Sequence, residues 1–167
     1  DALQILERNG LNFQELIQQT NGEFSEKFEA KGLQLIVDMP EEPVVIVADG
    51  RRLWRVVENL YNNTAKYAMP NTRVYVELTT VGHMVRFSIK NISEQPLNIN
   101  ADELTERFIR GDVARSTEGS GLGLSIARNL TELQKGSFNI YLDGDLFKVT
   151  IIFPEADSVP GNETGQS

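Results

Sequence analysis

Cysteine is missing from this chain altogether, and histidine occurs once. Without thiols there can be neither a disulfide framework nor a thiolate metal site, and a cytoplasmic setting is the simpler assignment. Long apolar runs are missing too. Nothing approaches the roughly 18 residues that would suggest a membrane span, and the first residues carry no signal-peptide pattern. Positive charge is in the minority, 16 Lys and Arg against 24 Asp and Glu for a net charge of -8. That balance argues against a general affinity for nucleic acid or anionic membrane, but not against a local basic site. No internal repeat is present. What remains is a chain of 167 residues, 40% of them hydrophobic, enough for one domain with a real core and short for two.

An apolar lead with Leu3, Ile5 and Leu6 precedes Asn12, which forms a capping box with Glu15 three residues on. The pattern predicts a helix from about Phe13 to Ala30, apolar at Phe13, Leu16, Ile17, Phe24 and Phe28 and stopped at Gly32. "LQLIVDM" and "PVVIV" read as two strands around turn residues Pro40 to Pro43. From Gly50 the helical period returns, with Leu53, Val56, Val57 and Leu60 inward, until Pro70 and Asn71 end it. "RVYVELTT" and "MVRFSIKN" alternate across "VGH" as an antiparallel hairpin. "ADELTERFI" reads as a short helix capped near Asn100 or Asp102, and "RGDVARSTEGSG" as a polar, glycine-bearing loop. The helix "LGLSIARNLTELQ" and a last hairpin, "SFNIYL" with "LFKVTIIF" around Asp143 and Gly144, complete the pattern.

Hairpins alternating with helices predict an α+β two-layer sandwich: a mixed, mainly antiparallel sheet covered on one face by helices. Within one domain, residues 1–31 form a connecting segment and first helix, residues 32–154 the core, and residues 155–167, rich in Gly, Ser and acid, a disordered tail.

Two stretches carry chemistry. In "VENLYNNTAKYA", Asn59 and Asn63 lie four residues apart and Lys66 three further on, so two amides and an ammonium share one side of a helix. Asn is a middling helix former, which suggests that something outside the helix uses those amides. Amide oxygens are hard neutral ligands suited to magnesium, and a lysine beside them can neutralise phosphates. The plainer reading is a solvated amide face. The second stretch, "GSGLGLS" at Gly119 to Ser125, opens a helix whose free N–H groups and positive end suit an anion, unless it is only a flexible hinge. No Gly-Lys-Ser/Thr follows it, and its spacing does not fit G-x-G-x-x-G.

Taken in order, "DGRRLWRVVENLYNNTAKYA", "LTERFIRGD" and "EGSGLGLSIARNL" resemble the N, F and G2 boxes of the catalytic, ATP-binding domain of bacterial sensor histidine kinases. This is the Bergerat fold shared with the gyrase, Hsp90 and MutL ATPases, and the resemblance covers about residues 32–154. It implies ATP and Mg2+ as cofactors, with Asn63 the magnesium ligand and Asn59, Lys66 and Tyr67 around the phosphates and ribose. Arg110 would reach the phosphates from the lid side. Gly119, Gly121 and Gly123 would form the phosphate loop and lid hinge, with Ser120, Leu122 and Leu124 also at the nucleotide. Asn59, Lys66 and Arg110 would be the catalytic group. The family's G1 box, D-x-G-x-G, is absent: Asn91 stands where its Asp would be and could accept from adenine through its amide oxygen. Thr105 replaces the first F-box aromatic.

The related ATPases carry a water-activating glutamate where this chain has Asn59, and a neutral amide is no general base. Glu58 lies about 100° around the helix and cannot substitute. Transfer to a protein side chain is therefore favoured over hydrolysis. His83 sits in a turn before Met84 and Val85 and does not fit an acceptor, which the family carries on a dimerisation helix. The resemblance thus implies a dimerisation and phosphoacceptor domain outside this chain and a response regulator downstream. It also implies a cytoplasmic domain of a membrane-anchored sensor, itself monomeric, with no nucleic acid partner. The alternative is a degenerate nucleotide-binding or pseudokinase module that works by interaction.

Overall fold

A computed structural model describes residues 10–96 and 120–156. Strand β1 (Leu11–Asn12) runs straight into helix α1 (Phe13–Ala30). Asn12 keeps an extended backbone, and its side chain accepts from the Glu15 N–H at 3.1 Å, so the expected cap is in place. Phe13, Leu16, Ile17, Phe24 and Phe28 all face inward. The helix stops at Lys31 and Gly32, where Gly32 has φ +72° and its N–H reaches the Glu29 carbonyl at 2.9 Å. A left-handed residue there suits glycine.

The first predicted strand pair differs from expectation. Strand β2 (Gln34–Asp38) forms, but of "PVVIV" only β3 (Val45–Ile46) is extended, and it pairs antiparallel with β1 instead of β2. The reason is a competing set of bonds. Gln14 Nε2 donates to the carbonyls of Pro40 (3.0 Å) and Glu42 (2.6 Å), its Oε1 accepts from the Val44 N–H (2.8 Å), and the Phe13 N–H reaches the Val44 carbonyl (2.9 Å). Backbone groups that a hairpin would have used are satisfied by α1, and Pro43 has no N–H to offer a ladder.

Five strands form the main sheet in the order β2-β4-β5-β7-β6, with β4 (Arg73–Val81), β5 (Met84–Ile92), β6 (Ser137–Asp143) and β7 (Leu146–Pro154). Only β2 with β4 is parallel, in the register Leu35 with Val74. The β4–β5 and β6–β7 hairpins form as read from the alternation. One face carries Val74, Val76, Leu78, Val85, Phe87, Ile89, Phe147, Val149, Ile151 and Phe153, all buried, and α1 lies over it, Phe13 stacking on Phe87 with ring centroids 5.6 Å apart. The opposite face, with Tyr75, Glu77 and Arg86 exposed, has the period-two partner pattern of a sheet wet on one side.

Helix α2 (Gly50–Tyr67) links β3 to β4, and helix α3 (Ser120–Leu133) precedes β6. Asp49, fully buried, caps α2 by accepting from the N–H groups of Arg51 (2.9 Å) and Arg52 (3.3 Å). Its own N–H donates to Gln134 Oε1 at 2.9 Å, directly after the end of α3. The start of one helix is thus fastened to the end of the other, and since α2 and α3 pack together more extensively than any other described helix pair, they run antiparallel.

Replacing Asp49 by Ala removes the cap and the Arg52 contact at 3.7 Å, and is expected to lower unfolding free energy by about 1–2 kcal/mol. D49N, which keeps an accepting oxygen, should lose less; urea denaturation of both variants measures the difference.

Candidate functional site

The antiparallel arrangement fixes what faces what. Asn63 is fourteen residues beyond Asp49, and Ser120 fourteen before Gln134. At 1.5 Å per residue each lies about 21 Å along its helix from the shared tie, so Asn63 is level with the amino end of α3. Asn59 sits one turn nearer the tie. The tertiary structure therefore sets the carboxamide stripe of α2 beside the helix end whose N–H groups lack intrahelical acceptors.

Three asparagines fall in the second half of α2, and their surroundings separate them. Asn62 faces α1 and accepts from Lys27 Nζ at 3.3 Å. Asn63 is only 6% exposed, yet its Oδ1 is buried and has no hydrogen-bond partner among the described residues; Asn59 Nδ2 is in the same condition. Leaving a buried polar atom unpaired costs roughly 1–3 kcal/mol, and these two atoms, like Asp49 Oδ2 and Trp54 Nε1 at the start of the same helix, find no hydrogen-bond partner among the described residues. The oxygen–nitrogen assignment of a carboxamide is reversible by a flip, so either side chain can present an oxygen. Hard neutral oxygens without protein partners fit a magnesium ion that keeps most of its water. Among the described residues no cluster of three or more His, Asp or Glu offers a competing metal centre.

Asn91 joins the same end of the molecule. It is buried near the end of β5, and the chain beyond it is tied to the end of α2: Met69 N–H to the Ile92 carbonyl and Glu94 N–H to the Tyr67 carbonyl, both 2.8 Å, with a bridge between Ala68 and Ser93. Lys66 and Tyr67 close α2 and both engage neighbouring groups. Ser120, Gly121, Leu122 and Gly123 have helical backbone, so α3 begins slightly before the position near Leu122 that the sequence suggests. Leu124 directs its side chain into the core. Arg110, Thr105, Gly119, the short helix "ADELTERFI" and the tail beyond Ala156 lie outside the described residues. His83 occupies the exposed β4–β5 turn with its carbonyl accepting from Glu155. Sequence reasoning missed Asp49 as the cap of α2, although Asp before Gly-Arg-Arg was a readable signal, and missed Gln134, for which no local signal exists.

Residues 48–163 match the family described as histidine kinase-, DNA gyrase B-, and HSP90-like ATPase. The chain is 37% identical over 110 residues to the probable sensor histidine kinase TcrY of Mycobacterium tuberculosis, a match covering 64% of this chain and 23% of that protein. It is 32% identical over 130 residues to the adaptive-response sensory kinase SasA of Synechococcus elongatus, covering 74% and 32% respectively. The chain therefore spans about a quarter to a third of the length of these relatives. Among solved structures, the catalytic domain of histidine kinase ThkA superposes with a TM-score of 0.76 at 24% identity, covering 87% of this chain and 94% of that one. The mycobacterial sensor histidine kinase MprB gives 0.72 at 22%, covering 87% and 96%. These likenesses establish the two-layer fold with its mainly antiparallel sheet. Among the described residues no helix is long and apolar enough to cross a membrane.

Glu58 is turned away from the carboxamide stripe. It lines a groove with Arg51, Arg52, Trp54 and Arg55, and its electrostatic neighbours include Glu23 and Lys27 of α1. Desolvation first, and then the Glu23 carboxylate, push its pKa above the ordinary value of 4.5. The folded state consequently holds this proton more tightly than the unfolded chain. Protonated Glu58 favours folding below that ordinary value, and the advantage is lost as pH rises through the folded pKa. E58Q is therefore expected to raise Tm at pH 7 and to leave it nearly unchanged at pH 4, a comparison made by thermal melts at the two pH values.

Proposed function

The chain belongs to the family of histidine kinase-, DNA gyrase B- and HSP90-like ATPases, and from that membership we propose that it is the ATP-binding catalytic domain of a sensor histidine kinase. The observation that carries the proposal is the pair of buried atoms without hydrogen-bond partners, Asn63 Oδ1 and Asn59 Nδ2, with Asn63 level with the amino end of α3 and Asn59 one turn nearer the tie. Among the relatives, those named as sensor kinases support the same reading. The domain would work in a longer protein at the cytoplasmic side of a membrane-anchored sensor, with a dimerisation and phosphoacceptor domain as its immediate partner and a response regulator beyond it.

In this reading ATP lies between the two helices. Asn63 would hold Mg2+ through its carboxamide oxygen, and the ion would supply neutralisation of phosphate charge there. Asn59 orients the same region without taking a proton, Lys66 adds positive charge, and Tyr67 lies toward the ribose. The N–H groups of Ser120, Gly121, Leu122 and Gly123 would donate to phosphate oxygens at the helix end, with Gly119 before them and Leu124 anchoring that turn in the core. Arg110 reaches the phosphates from the segment before them. Asn91 meets the adenine edge with an amide in place of a carboxylate, a contact without charge.

The reaction is transfer of the γ-phosphoryl group to a ring nitrogen of a histidine on the partner domain. A P–N bond forms as the β,γ-bridging P–O bond breaks, and its electron pair leaves with ADP. Asn59 and Glu58 bear on the competing hydrolysis: the first cannot accept a proton from water and the second lines a different groove, with Arg51, Arg55 and Leu130. Positioning and charge neutralisation are what the domain contributes.

Calorimetry with Mg2+ and a nonhydrolysable ATP analogue should give saturable binding, weakened at least about tenfold in N63L. Because the leucine removes an unpaired buried amide of similar shape, N63L should melt at or above the wild-type temperature. Radiolabel should move from ATP to an added acceptor domain, with little steady hydrolysis in its absence. No heat at millimolar analogue would defeat the kinase reading in favour of a module that acts by interaction alone.

A further inference from the structure

The last turn of α2 carries Lys66 and Tyr67, and the partners of its four terminal carbonyls can all be named. Thr64 O accepts from the Ala68 N–H at 2.9 Å and Tyr67 O from the Glu94 N–H at 2.8 Å. The carbonyls of Ala65 and Lys66 accept from one side chain, Lys31 Nζ, at 2.9 Å each. Lys31 belongs to neither neighbouring wall. It caps α1, where its own N–H reaches the Phe28 carbonyl (3.1 Å), while its carbonyl accepts from the Asn71 N–H (3.1 Å). Backbone and side chain of this single residue therefore grip the exit of α2 at Ala65, Lys66 and Asn71.

We infer that Lys31 is a positioning residue of the nucleotide site: from the end of α1 it fixes the angle of the α2 turn that presents Lys66 and Tyr67. A cation at the negative end of a helix, donating to two successive carbonyls of its last turn, holds that turn in one conformation. The effect matters more here because the segment after β5 has none of the glycines expected of the G1 box. Ser93 and Glu94 are instead joined to Asp145, Ala68 and Tyr67 by backbone pairing, which ties the segment after β5 to the end of α2. The Lys31 contact with Glu94 at 4.0 Å joins two partly exposed side chains and adds little. The two carbonyl bonds carry the role, and through α1 they connect the site to the amino-terminal side of the domain.

The inference rests on the reading of this chain as a nucleotide binder, and the experiment separates the two. Wild type, K31M, K31R and E94Q are compared by calorimetry with Mg2+ and a nonhydrolysable ATP analogue, and by hydrogen exchange of the ligand-free proteins. K31M should bind about tenfold more weakly at a temperature well below its Tm. K31R, whose guanidinium can donate to both carbonyls, and E94Q should stay within about twofold of wild type. In ligand-free K31M the amides of Tyr67 and Ala68 should exchange faster while those of α3 are unchanged. A merely structural role would lower Tm without moving the dissociation constant. Wild-type binding with an unaltered constant in K31M overturns the positioning role alone; absence of binding by wild type overturns the functional reading together with it. Should K31M not fold, K31Q is judged by the same criteria.

Discussion

One contact organises the molecule: the bond from the Asp49 N–H to Gln134 Oε1, which fastens the start of α2 to the end of α3. Two helices joined in this way and packed along their lengths must run in opposite directions. The geometry of a helix does the rest, since equal residue counts from a shared point give equal distances. Asn63 and Ser120 stand level at the far end because each is fourteen residues from the tie. A helix end with free N–H groups and a stripe of carboxamides become opposite walls without any contact between them in the sequence.

The asparagines of α2 show how function is separated from packing. Asn62 has a partner in Lys27 and belongs to the α1–α2 contact. Asn59 and Asn63 are shielded from water and hold polar atoms with nothing to bond among the described residues. A sequence selected only for stability would replace such groups, because desolvation of an unpaired amide opposes folding. In the proposed function a bound nucleotide with its metal ion would bring the missing partners. The sheet bears the stability instead: its inward face carries Val, Leu, Ile and Phe along β4, β5 and β7, with the polar Asn91 only near the end of β5.

Much of this was legible in the chain. The bounds of α1, the capping by Asn12, the β4–β5 and β6–β7 hairpins and the one-sided sheet all follow from local periodicity, and each local choice agrees with the final fold. The strands around Pro40 and Pro43 were read as a pair because alternation and turn residues look the same whether or not the strands meet. What diverted them was Gln14, a side chain more than twenty residues away that takes three of the backbone groups concerned. The parallel pairing of β2 with β4 likewise passes through α2 and has no signature at either strand.

The amino-acid sequence alone determined which segments form helices and strands, and which residues of α2 carry amides, because these depend on neighbours within a turn or two of the chain. Only the tertiary structure decided that Asn63 Oδ1 and Asn59 Nδ2 are enclosed without partners, that Asn63 stands level with the amino end of α3, and that Lys31 reaches across to the end of their helix. Those are properties of groups distant in sequence. Burial and unmet hydrogen bonding exist only once the elements are packed, and no local pattern can state them beforehand.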